Sequence, residues 1–202
     1  MQAVGRAGGA EVFRLSINNN GSFAYTQSRP LDHPNSNDHN DNIALTFGFR
    51  ATDGDGDSRD GTIRVNVLDD GPEAGSSRIT IDEDVDLNRN FTGNLFRDYG
   101  ADDVGGEVFA GGFNGQSVFS FEGVNSLTVN GESVTVRMEN GDYVGRLGNN
   151  SEVFRLDVGT DGQYRFTQSQ ALDHPDPNQP NEIITLQFGY TVEDGDGDKD
   201  IG

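Results

Sequence analysis

Residues 11–34 read EVFRLSINNNGSFAYTQSRPLDHP, and residues 152–175 read EVFRLDVGTDGQYRFTQSQALDHP. The two stretches stand 141 positions apart, and the offset holds without a gap as far as Gly61 and Gly202. Of the 51 aligned positions, 25 are identical, far above chance for unrelated segments. Most differences keep the pattern: Ile17/Val158, Phe23/Tyr164, Tyr25/Phe166 and Phe49/Tyr190. Self-similarity at a fixed period is the signature of a repeat architecture. The chain therefore reads as the later part of one repeat, residues 1–70, and most of the next, residues 71–202. Thr62–Leu68, which follows the duplicated stretch in the first copy, has no counterpart in the second. Two readings are open: an excerpt from a longer chain, or strands of two copies that complete one another.

Within the repeat the apolar residues alternate. Val12–Ile17 ends in the turn run Asn18-Asn-Asn-Gly21, and Ser22–Gln27 returns, which predicts a hairpin. Val153–Val158 and Gln163–Gln168 repeat it. Ile43–Ala51 and Ile183–Val192 are expected as longer strands, and Thr62–Leu68 as another. Between the copies, strands are expected near Ser77–Ile81, Ser117–Phe121, Ser126–Val129 and Ser133–Met138. Asn130-Gly131 and Asn140-Gly141 supply hairpin turns. No stretch sustains helical periodicity, and 28 glycines argue against long helices. Short strands separated by Gly/Asn/Asp turns point to an all-β fold, an immunoglobulin-like or cadherin-like β-sandwich in tandem repeat. Asp69-Asp-Gly-Pro72 marks the boundary, an acidic turn closed by proline.

Hydrophobic residues make up 32% of the chain, enough for a thin core only. Acidic residues number 34 against 14 basic ones, giving a formal charge of −20. Such a chain repels nucleic acid and anionic membrane surfaces. No apolar run approaches a membrane span. There is no cysteine, so disulfides and thiolate metal sites are excluded. The residues after Met1 do not form a secretory signal peptide.

The acids are not evenly spread. Asp53-Gly-Asp-Gly-Asp57 and Asp194-Gly-Asp-Gly-Asp198 occupy the same place in both copies. Alternating Asp and Gly lets three carboxylates converge, with glycine permitting the backbone to wrap an ion. Converging carboxylates repel one another unless protonated or neutralised. Calcium suits them, since it takes 6–8 oxygen ligands in flexible geometry. Zinc would want His or Cys, which the loop lacks. An EF-hand would place a Glu at position 64, where Arg64 stands. A solvated acidic turn is the alternative reading. Asp60 is a candidate fourth ligand in the first copy, where the second has Ile201 with Asp200 beside it. Asp69 and Asp70, with Asp82, Glu83 and Asp84 beyond them, are candidates for a site at the junction. Asp32, Asp173, Asp98, Asp102 and Asp103 fit turn or cap roles at least as well. His33 and His174, one His-Pro per repeat, read as packed or hydrogen-bonded turn residues. No nucleophile motif and no phosphate loop accompanies them, so an enzyme is not expected.

LDHP, then FGF or FGY, then DGDGD, then a strand ending in VLDDGP, at a period near 141, resembles the long tandem repeats of type I-secreted RTX adhesins. The central IDEDVDLNRNFTGNLFRDYGADD is similar to the opening of VCBS or cadherin-like bacterial surface repeats. The resemblance implies a giant protein exported in one step by type I secretion with a C-terminal signal, displayed at the bacterial cell surface. It implies roles in cell attachment and biofilm formation, with calcium-rigidified repeats acting as extenders. Asp53, Asp55, Asp57, Asp194, Asp196 and Asp198 map onto the repeat's acidic loop. The expected partners are adjacent repeats of the same adhesin, and host or biofilm surface ligands. A sugar- or peptide-binding module of the same adhesin is the alternative, and the lack of tryptophan weighs against a sugar platform.

Overall fold

Alternation of apolar and polar residues becomes antiparallel sheet throughout the computed structural model, which describes residues 1–35, 41–101, 105–112, 116–176 and 182–202, and Asp84 by its backbone alone. The chain divides into two compact units, Met1–Gly71 and Pro72–Gly202. The fold is all-β and sandwich-like. One four-residue helical turn, Glu83–Asp86, is the exception among the described residues. No helix of the described residues is long and apolar enough to cross a membrane.

In the first unit, β1 (Gln2–Ala7), β2 (Ala10–Ile17) and β3 (Phe23–Gln27) form a sheet in that order. The turn Asn18–Gly21 closes through Gly21 N–H to Asn18 O at 3.0 Å. A long hairpin follows, β4 (Asn42–Thr52) with β5 (Ser58–Leu68), paired from Asn42↔Leu68 to Thr52↔Ser58. Its apolar face carries Leu45, Phe47, Phe49, Ile63, Val65 and Val67, all half-buried, while Thr46, Arg64 and Asn66 face solvent. Phe13 joins the two sheets, with its ring 5.9 Å from Tyr25 and 5.9 Å from Phe47. Only Val12 and Leu15 are fully buried apolar side chains among the described residues of this unit.

The second unit contains β6 (Glu73–Ala74), β7 (Asn90–Asn94), β8 (Arg97–Asp98), β9 (Glu107–Ala110), β10 (Phe119–Glu122), β11 (Thr128–Val129) and β12 (Glu132–Ser133). It continues with β13 (Thr135–Glu139), β14 (Asp142–Arg146), β15 (Glu152–Val158), β16 (Gln163–Gln168), β17 (Thr185–Phe188), β18 (Tyr190–Glu193) and β19 (Lys199–Ile201). The main sheet runs β13-β14-β15-β16-β7; β10-β17 and β19-β18-β9 form smaller sheets. Leu127, Val153, Phe154 and Phe166 lead the core, with Phe119 and Phe188 packed against them. Phe188 sits at its centre, 5.1 Å from Phe119, 5.2 Å from Tyr143 and 5.9 Å from Phe154 by ring centroids. Asn130-Gly131 and Asn140-Gly141 all have positive φ, as a two-residue hairpin turn requires.

The two units share more than the aligned stretch. β1-β2-β3 reappears as β14-β15-β16, with Leu15↔Tyr25 answered by Leu156↔Phe166. Gly5 pairs with Phe13, and Gly145 with Phe154. A Cβ on Gly5 would lie 2.3 Å from the Phe13 ring, and one on Gly145 2.6 Å from the Phe154 ring. Each glycine thus leaves the space its cross-strand phenylalanine fills. Gly145→Val will therefore displace a fully buried ring and destabilise the second unit by about 1–3 kcal/mol. Thermal melting checks this, and an unchanged midpoint would show that the ring does not depend on that glycine.

Two expected strands differ. Ile183–Val192 is not continuous: it breaks at Gly189 into β17 and β18, which pair with different partners. Val118 crowds the break, since a Cβ on Gly189 would lie 2.7 Å from the Val118 Cβ. Ser77–Ile81 forms no strand. Ile81 packs on the main core, but the segment's backbone has no ladder partner, so the apolar residue marks burial rather than pairing.

Candidate cation sites

The two Asp-Gly loops fold alike, for a reason local to the sequence. Asp194 N–H donates to Asp198 O at 3.1 Å, and Asp194 Oδ1 accepts from the amides of Gly197 (3.0 Å) and Asp198 (2.9 Å). Asp53 repeats this, its Oδ1 accepting from Gly56 (3.1 Å) and Asp57 (2.9 Å). Gly197 and Gly56 have φ of 103° and 106°, a conformation that L side chains rarely adopt. The first Asp of each loop thus ties the turn. In each loop, one carboxylate oxygen from each of the three aspartates lies within 4.8 Å of the others.

What differs is burial. Asp53, Asp55 and Asp57 are exposed, whereas Asp194 is 4% exposed and Asp198 1%. The second loop joins β18 to β19, and β9 pairs along the other edge of β18. Gly105, just before β9, lies against Gly195. The electrostatics follow. Burial, reinforced by the neighbouring Asp196, pushes the Asp194 carboxyl up to about 7, against the pull of the Asp198 and Gly197 amides. Asp53 is held below the usual carboxylate range, chiefly by a hydrogen bond with Asp55. One motif therefore gives a solvated cluster in the first unit and a desolvated one in the second.

The donor set fits a hard cation: three carboxylates converge, and two of them are withdrawn from water. Asp194, Asp196 and Asp198 would hold it. Without a cation, folded Asp194 keeps its proton up to about pH 7, while the unfolded residue loses it near 3.8. This contribution to stability is fully present below the unfolded value and is lost as pH rises through about 7. In chelator, the second unit will accordingly melt lower at pH 8 than at pH 5.5; a cation held by the cluster would take the proton's place, so saturating calcium should remove the difference. A pH dependence equal in chelator and in calcium would contradict this.

Residues 1–66 and 68–202 match a family model described as a domain of unknown function, DUF5801. The chain belongs to the DUF5801 family. No curated protein matches it, and no solved structure does. The two matched segments of the DUF5801 chain carry one Asp-Gly loop each.

The other candidate residues of this DUF5801 chain are placed as follows. Asp60 is not part of the first loop's cluster: it lies in β5 and holds Arg50 through bonds of 2.6 and 2.9 Å. Asp200 accepts from Ala74 N–H at 2.9 Å, tying β19 to β6. Asp69 lies within 4.8 Å of His33 and Asp41. Asp70 stands outside that group, exposed, its amide donating to Asp69 Oδ1 at 2.8 Å. His33 is a packed, bonded residue, its side chain 3% exposed and its Nδ1 in a short contact with Asp41. Asp173 clamps the Asn130-Gly131 turn, accepting from both amides at 2.8 and 2.7 Å. Its copy Asp32 is exposed. Glu83 accepts from Leu172 N–H at 3.0 Å and bonds Gln168, and it lies 3.5 Å from His174. Asp82 N–H donates to Asp86 Oδ2, and Asp98 accepts from Gly100 N–H. Asp102, Asp103 and the Asp84 side chain lie outside the described residues. Asp41 was not among the residues expected at a site. It stands eight positions after His33 in no recognisable motif, and only the chain path brings the two together.

Proposed function

We propose that this DUF5801 chain is a calcium-binding extender segment of a large secreted bacterial surface adhesin, structural rather than catalytic. The observation that carries the reading is the desolvated Asp194-Asp196-Asp198 cluster at the β18–β19 turn. Buried, mutually repelling carboxylates destabilise a fold unless a cation joins them. Tandem duplication of the loop and resemblance to RTX adhesin repeats support the same reading.

The mechanism is mechanical. Where calcium is scarce, as in a cytosol, the clusters loosen the chain and favour export. Outside, calcium binds the folded form and stabilises it by mass action. At a hundredfold excess over its dissociation constant one site contributes about 2.7 kcal/mol. The clamp acts where the second unit closes on itself. Tyr190, at the start of β18, lies 2.7 Å from Gly75 O and 2.6 Å from Phe96 O through its hydroxyl, and accepts from Gly75 N–H. A cation at the loop would therefore hold a hairpin already bonded to the unit's first residues. Adjacent repeats are the expected neighbours, at the bacterial surface.

Force spectroscopy on the full chain tests the mechanical role. The second unit should unfold at higher force in calcium than in chelator. Equal forces would remove the extender reading, even if calcium binds.

A further inference from the structure

The open end of the β4–β5 hairpin gathers a different kind of donor set. Beyond the last strand pair, Asn42↔Leu68, Asp69 N–H donates to Asp41 O at 3.0 Å, which sets the two aspartates side by side. His33 reaches the same place from the loop after β3, its Nδ1 in contact with Asp41 Oδ1. One ligand atom from each of His33, Asp41 and Asp69 lies within 4.8 Å of the others. The Asp53–Asp57 turn closes the far end of the same hairpin. The 11 residues of β4 lie between them, roughly 35 Å of strand, so the two groups are separate.

Burial distinguishes this group from a solvated acidic turn. The His33 side chain is 3% exposed and that of Asp41 15%. Asp69 Oδ1 accepts from Asp70 N–H at 2.8 Å, whereas Asp69 Oδ2 is buried and has no hydrogen-bond partner among the described residues. A buried carboxylate oxygen left unsatisfied is costly, and a cation beside it removes that cost. The donors select the ion. The Asp-Gly loops offer aspartate oxygens, as calcium prefers. Here an imidazole nitrogen joins two carboxylates, a set that suits zinc and its first-row neighbours.

We propose that His33, Asp41 and Asp69 hold a zinc-class divalent cation, at a site independent of whether the Asp-Gly loops bind calcium. The ion ties the loop after β3 to both strands of the β4–β5 hairpin. Val12 and Leu15 are the fully buried apolar side chains described in this unit, so a metal staple contributes where the core is thin.

The test uses the full chain, freed of transition metals and kept in saturating calcium. Cobalt(II) serves as a coloured stand-in for zinc, and zinc itself is added to a 15N-labelled sample. Cobalt should give saturable visible absorption bands that zinc abolishes. Zinc should shift the ring-nitrogen resonances of His33 and raise the melting temperature of the first unit. Loss of a supporting contact at a metal site already costs about 10–100-fold in affinity, so Asp69→Asn, which removes a ligand, should weaken zinc binding by about tenfold or more. The His33 shift is read in the unmodified chain and stands even if the variant fails to fold. Absence of the cobalt bands and of the His33 shift would overturn the proposal. So would a shift confined to other histidines, or zinc binding that Asp69→Asn leaves unchanged.

Discussion

Asp198→Asn will raise the melting temperature of the second unit in chelator and lower it in calcium. Asp198 is 1% exposed and shares a 4.8 Å cluster with Asp194 and Asp196. Burying a charge beside like charges is unfavourable, and asparagine keeps the shape while removing the charge. Asp198 contributes its amide and carbonyl to the turn, and asparagine retains both. A gain of about 1–2 kcal/mol in chelator would move the midpoint by roughly 3–8 °C. In calcium the sign reverses, since the variant loses a ligand and with it much of the roughly 2.7 kcal/mol that a well-occupied site supplies. Melting both proteins under both conditions checks the crossing. A drop in both would show that Asp198 serves as a structural acceptor, and a rise in both that it is no calcium ligand.

Phe154→Ala will destabilise the second unit far more than Phe13→Ala destabilises the first, although the two residues occupy one repeat position. Phe154 is fully buried, with Phe119, Phe166 and Phe188 at ring distances of 6.3, 6.0 and 5.9 Å. Truncating such a ring costs about 3–5 kcal/mol, through lost transfer energy and the cavity left behind. Domains of this size are stable by only about 5–15 kcal/mol, so the loss approaches unfolding at ordinary temperature. Phe13 is half-buried, and its truncation removes less covered surface. Chemical denaturation of the two variants measures the difference. Equal losses would mean that the first unit's face is covered as fully as the second's.

Much of this fold is legible in the sequence because it is local. The hairpin Val12–Gln27 and its copy announce themselves by alternation and by turn runs. Asn130-Gly131 and Asn140-Gly141 show their turns through residues that tolerate positive φ. The loop geometry of Asp53–Asp57 and Asp194–Asp198 is likewise local, since Asp and Gly at those offsets close the same turn twice. What the sequence does not reveal depends on distant partners. Identical DGDGD strings become exposed in one unit and desolvated in the other, because β9, more than eighty residues before the second loop, pairs along β18. Gly189 stands at the strand break where no side chain would fit, since a Cβ there would lie 2.7 Å from the Val118 Cβ. Asp60 reads as a ligand by spacing, yet Arg50 across the hairpin claims it. The pairing of His33 with Asp41 has no signature at all.

Calcium titration of the full chain by calorimetry, beside a chain carrying Asp194→Asn, Asp196→Asn and Asp198→Asn, decides whether the buried cluster is a calcium site. Saturable binding should raise the melting temperature of the second unit, and the triple variant should bind less and lose that rise. No binding, or binding that the triple variant retains in full, would contradict a calcium site there.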